Sequence, residues 1–169
     1  MGVRLRRKSD RYDYRVSRSG APGIAAIAVT WLLLITSAPI LWIPLAGVLY
    51  LAGALICHQL PERSFHLHGA QLPVCARCFG LYLGAAVGSM TGAVVSTGPL
   101  LDRVAPLARS RRSAWVVTAV AAAPTAITFV LEWGLGWPVS NVTRAIAAVP
   151  LGFTVALVVV RAVATLHYE

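Results

Sequence analysis

From Ser19 to Pro61 the chain carries no formally charged side chain, and the apolar heart of that stretch, Ile24 to Cys57, is 34 residues long. As one helix it would measure about 51 Å, against about 30 Å for the hydrocarbon core of a bilayer. Pro39 and Pro44 stand near its middle. Each removes a backbone donor and pushes the preceding residue out of the α region. The stretch therefore reads as two helices, Ile24 to Ile40 and Pro44 to His58, the second with its proline in the first turn, where proline is tolerated.

Three further charge-free runs follow: Phe79 to Leu101, Ser113 to Leu131, and Ala145 to Val160, the last ended by Arg161, which can snorkel to the nearer surface. A chain of 169 residues that is 57% hydrophobic and 12% charged has too few polar side chains to cover a soluble domain of its size. The expected fold is all-α: a polytopic membrane bundle of about five helices with four or five crossings. Residues 23–169 would form this single domain, and residues 1–22 a disordered basic cytoplasmic leader. In the third run Gly80, Gly84, Gly88 and Gly92 recur every four residues. That spacing makes either a close-packing face or no more than the ordinary glycine content of membrane helices.

The formal charge of +9 does not point to nucleic acid, because seven of the fifteen Lys and Arg residues lie between Arg4 and Arg18, ahead of the first apolar run. Charge placed there suits a cytoplasmic flank and the anionic lipid head groups it would meet, in a multi-pass protein of the cell membrane. A cleavable signal peptide is disfavoured by the length of the apolar region, and Arg6-Arg7 is a weak twin-arginine signal. Five crossings with the N-terminus inside put the Cys57 to Cys78 region in the cytosol. Four put it outside, with twelve of the fifteen basic residues on the inner side. The charge rule prefers four, and length with the two prolines prefers five helices.

The three cysteines cluster: Cys57-His58-Gln59 closes the second run, Cys75-Ala76-Arg77-Cys78 opens the third, and a polar loop joins them. Antiparallel helices joined by such a loop would bring Cys57, His58, Cys75 and Cys78 together at one membrane surface. Cys3His is a standard tetrahedral zinc set, and two residues between cysteines is its usual knuckle spacing. Adjacent Cys57 and His58 depart from that spacing. His66 and His68 are reserve ligands, each otherwise a solvated histidine. A c-type haem would need histidine where Phe79 stands, and a four-iron cluster usually takes four cysteines. Two alternatives stay open: a thiol–disulfide couple of Cys75 and Cys78 with Cys57 as resolving thiol, favoured by the helix start and Arg77, and plain packing of small buried thiols.

At the other polar end Glu132 and Arg144 face each other across a turn of Gly134, Gly136, Pro138, Ser140 and Asn141. An ionisable residue at membrane depth normally has a partner and a function, so the pair suggests either the lining of a solute or ion path or two interfacial anchors. Ser140 or Asn141 would cap the fifth helix.

Cys57-His58-Gln59, Pro61 to Phe65, and Pro73-Val74-Cys75-Ala76-Arg77-Cys78-Phe79-Gly80-Leu81-Tyr82-Leu83-Gly84 resemble the signature of domain of unknown function 2085, small predicted membrane proteins of bacteria and archaea. Ser140-Asn141, Arg144 and Gly152 resemble its second motif. Relatives commonly carry an acidic residue near Thr128 and glutamine near Glu132, and this sequence departs there. The resemblance implies a helical membrane protein whose Cys, His and Arg cluster is its functional centre, without choosing the chemistry.

Overall fold

In the computed structural model, residues 20–95 and 111–166 are described. The basic leader expected over residues 1–22 lies almost wholly outside them. Among the described residues, five α-helices and one β-hairpin follow in the order α1 (Gly20–Ser37), α2 (Ile43–Ala54), β1 (Ser64–Leu67), β2 (Ala70–Cys75), α3 (Ala76–Val95), α4 (Arg111–Gly134) and α5 (Asn141–Leu166).

The prolines act as their chemistry requires. Pro39 ends α1 in a short 3-10 turn, Ala38–Ile40, and Pro44 enters the first turn of α2. The second helix is shorter than the expected Pro44 to His58 and stops at Ala54. Its cause is Gly53, where a Cβ would lie 2.1 Å from the Pro73 carbonyl oxygen and 2.6 Å from Gln59 Nε2. The chain turns there, with the Ile56 and Cys57 amides both donating to the Gly53 carbonyl. The polar loop that follows is ordered by pairing: β1 and β2 are antiparallel, with His66 opposite Gln71 and Leu67 opposite Ala70. His68 and Gly69 make the turn in the left-handed region, at φ 52° and 81°.

The centre of the molecule is α3 packed along α5. A Cβ on Gly80 would meet the Ala145 carbonyl oxygen at 2.1 Å, on Gly84 that of Val149 at 2.2 Å, and on Gly88 that of Phe153 at 2.4 Å. The glycine stripe is thus a contact face, and the constant offset shows that the two helices run parallel. Such small-residue seams let backbones approach and gain dispersion contact where lipid offers no hydrophobic drive. On α3, Tyr82 meets Trp31 of α1 edge-on at 6.0 Å, while Thr125 of α4 donates to the Ala147 carbonyl of α5 at 2.8 Å.

The directions close a consistent bundle. Ile35, near the end of α1, packs with Cys57 and Val74, whereas Gly20 at its start lies 3.0 Å from Val163 Cγ1, counted from an added Cβ. Helices α1 and α4 therefore run against α3 and α5. The hairpin and the α4–α5 turn share one end of the bundle, and α1 starts beside the far part of α5. Among the described residues, three segments are long and apolar enough to cross a membrane, Gly20–Ile40, Arg112–Gly134 and Asn141–Val163, and α2 is a shorter apolar helix. Helix α3, 20 residues or about 30 Å long, lies along α5 and is not one of those three segments. Large apolar side chains such as Ile27, Leu33, Val120, Ile127 and Ile146 project outward, the coat expected of helices solvated by lipid.

A candidate metal centre beside an arginine cluster

Each cysteine reaches the hairpin end by a different route. Cys57 is buried in the turn after α2, Cys75 closes β2, and Cys78 lies in the first turn of α3. Their three sulfurs lie within 4.8 Å of one another, and none is in a disulfide. Sulfurs on a tetrahedral zinc stand about 3.8 Å apart, from the 2.3 Å zinc–sulfur bond, so the group is within small side-chain rotations of that geometry. The Cys75 amide donates to Cys57 Sγ at 3.1 Å, a bond that orients this sulfur as outer-shell partners of metal ligands do. A hydrogen bond from the Cys78 thiol, outweighing burial, lowers the Cys75 thiol to about 5. Cys75 is therefore the thiol best placed to supply a thiolate, the form that binds metal or attacks disulfides.

His58 is exposed and stands outside the group of three sulfurs, as do His66 and His68. Gln59, beside it, holds the site's frame. At φ 48°, its amide donates to the Tyr50 and Pro73 carbonyls, 2.7 Å each, tying the end of α2 to β2. Gln71 donates back to the Gln59 carbonyl at 2.6 Å, and the Tyr50 hydroxyl donates to the Gln71 carbonyl.

Arg77, between Cys75 and Cys78, turns its guanidinium away to a second cluster. Glu132, with its side chain 8% exposed, accepts from Arg77 at 2.7 Å on Oε2 and from Arg144 at 2.7 Å on Oε1 and 3.3 Å on Oε2, and also meets Arg63 at 3.3 Å. Arg144 thus grips the carboxylate with a two-pronged fork. The Arg63 guanidinium lies 5.0 Å over the Trp133 ring, and that of Arg77 lies 5.4 Å from the Phe129 ring. Asn141 couples the halves: its amide donates to the Ser64 carbonyl at 3.1 Å while its oxygen accepts from Arg144. Ser140, not Asn141, caps α5, accepting from the Thr143 amide at 3.1 Å.

A sequence reading that pairs Glu132 with Arg144, and sets Arg77 beside the thiols, misses both Arg63 and Arg77 as partners of Glu132. Two signals are available: a charge in so charge-poor a chain needs a partner, and Arg63 lies in the Pro61 to Phe65 motif. All of these groups fall within, or next to, a continuous match: residues 57–158 match the family described as predicted membrane protein DUF2085. The chain belongs to DUF2085. Uncharacterized archaeal proteins resemble parts of it. One from Methanocaldococcus jannaschii is 51% identical over 47 residues, 28% of this chain and 30% of that one. One from Methanothermobacter thermautotrophicus is 60% identical over 30 residues, 18% and 27% respectively. The DUF2085 chain therefore spans less than a third of the length of these curated relatives. No solved structure matches it.

Proposed function

We propose that this membrane protein holds a zinc ion on Cys57, Cys75 and Cys78 at one surface of its bundle. The observation that carries the reading is the convergence of three free sulfurs from a turn, a strand end and a helix start, within 4.8 Å. Three protein ligands leave the fourth position to water or substrate, the pattern of catalytic zinc, whereas a fourth protein ligand would make the site structural. His58 is the nearest claimant in sequence. Purified protein is expected to carry about one zinc per chain, lost in the double variant Cys75→Ser with Cys78→Ser. Wild type without stoichiometric metal would sink the proposal. Zinc kept in His58→Ala identifies the open site, and zinc lost identifies the closed one.

A second reading, reversible Cys75–Cys78 disulfide exchange, is favoured by the lowered Cys75 thiol. Three thiols that react with maleimide only after metal removal, and equally with or without reductant, argue against it.

For topology, we infer four crossings by α1, α3, α4 and α5, with α2 lying at the cysteine surface. What supports this is the shared end of the hairpin and the α4–α5 turn, opposite the start of α1. The basic leader and its anionic lipids then belong to the cytoplasmic side and the cysteines to the outer side. Trp137→Cys, at an exposed position of the α4–α5 turn, should react in intact cells with a membrane-impermeant maleimide above the level of the native cysteines. Reaction only after lysis reverses the orientation.

A further inference from the structure

We propose that Arg63, Arg77 and Arg144 form a binding site for a phosphate monoester. The argument starts from charge. Three guanidinium groups surround one carboxylate, a surplus of two positive charges, and the only other carboxylate among the described residues, Glu62, is exposed. Side-chain exposures of 26%, 16% and 10% for Arg63, Arg77 and Arg144 leave little water to screen that surplus.

The donors tell the same story. A carboxylate offers about four acceptor sites, and the four contacts from the three arginines fill them. Each guanidinium has five N–H donors, so most on Arg63 and Arg77 remain, and Arg77 Nε is buried without any hydrogen-bond partner. The rings of Trp133 and Phe129 hold these two guanidinium groups. Pre-set arginine forks match tetrahedral oxyanions, which they bind with paired hydrogen bonds. A phosphate monoester carries a charge of about −1.5 to −2 at pH 7 and three free oxygens. It therefore balances the surplus, which a carboxylate or a phosphodiester, with one charge, does not.

The monoester can arrive free or as a lipid head group. The cluster stands at the bundle end where α4 finishes and α5 starts, and Phe129, Val130, Trp133 and Trp137 around it are more than half exposed. Such surroundings suit an acyl chain below a head group. None of this involves the cysteine sulfurs, so the site does not depend on the metal reading.

The test is thermal unfolding of the full chain in neutral-detergent micelles at fixed ionic strength, titrated with inorganic phosphate, phosphatidic acid or phosphatidylglycerol, with chloride as the reference. Phosphatidic acid is expected to raise the melting temperature by about 5 °C at saturation, and phosphatidylglycerol to do less. A midpoint for phosphatidic acid at least ten-fold below that of phosphate assigns the site to a head group, and equal midpoints assign it to free phosphate. Arg63→Gln should raise the midpoint about ten-fold, the worth of one charge-assisted hydrogen bond. If that variant does not fold, Trp133→Leu, which removes the ring beneath Arg63, should also weaken binding. No shift beyond chloride, phosphatidylglycerol equal to phosphatidic acid, or an unchanged midpoint in a folded variant overturns the proposal.

Discussion

Replacement of Glu132 by alanine is expected to cost about 4 kcal/mol and lower the melting temperature in detergent by about 10 °C. The reason is not the loss of one attraction but what it leaves behind. Arg77 and Arg144, mostly buried, and half-buried Arg63 all direct a guanidinium nitrogen at the same carboxylate. Without it they face one another in a region with little water, and the Arg144 fork keeps only Asn141. Removing one member of a buried pair is costly because the uncompensated charge stays behind. Glu132→Gln keeps the volume and one acceptor oxygen, and should fall between wild type and alanine. A melting temperature within 3 °C of wild type for Glu132→Ala would show that water, not the carboxylate, compensates the arginines.

The second large effect belongs to the glycine seam. A Cβ at Gly84 would sit 2.2 Å from the Val149 carbonyl oxygen and 2.8 Å from the Phe153 amide nitrogen. Both are backbone atoms, so no side chain can swing aside, and α3 and α5 must move apart by most of an ångström. Overpacking of this kind costs about 1–3 kcal/mol for a small intrusion, and the separation also removes the contacts at Gly80 and Gly88. Gly84→Ala should therefore lower the melting temperature by about 5 °C, and Gly84→Val by more. Gly47 on α2 is the control, with nothing within 4 Å of an added Cβ. There alanine should be neutral or stabilising by up to about 1 kcal/mol. Equal effects at the two positions would refute the seam.

Much of this was written in one-dimensional signals. Uncharged runs announced the helices, Pro39 and Pro44 divided the first run, and four glycines at a spacing of four marked the face of α3. The joint appearance of Cys57, Cys75 and Cys78 at helix ends was legible for the same reason, because spacing along the chain forced them near one surface. What could not be read was what depends on contacts between distant segments. The early end of α2 follows from Pro73 and Gln59 pressing on Gly53, and no local property of Ala54 to His58 announces it. The hairpin is held by Gln59, Gln71 and Ser64 bonding across the turn, in a segment whose composition reads as loop. Arg63 reaches Glu132 from the foot of a hairpin that Asn141 ties to the start of α5.

The regularity of the seam between α3 and α5 has a mechanical side. Gly80, Gly84 and Gly88 meet Ala145, Val149 and Phe153 at one repeated step, like a nut on a thread. A thread could hold one pitch further along, but Gly152 of α5 forbids it: a Cβ there would lie 2.1 Å from the Leu81 carbonyl oxygen, and four residues to either side stand Ala148 and Ala156. The seam supplies adhesion and, at Gly152, part of the address. A second stop is at the polar end, where Arg144 grips Glu132 and Asn141 reaches the Ser64 carbonyl, contacts that do not repeat along the helix. The ion cluster thus does for the bundle what a pawl does for a ratchet, locking the register that Gly152 selects.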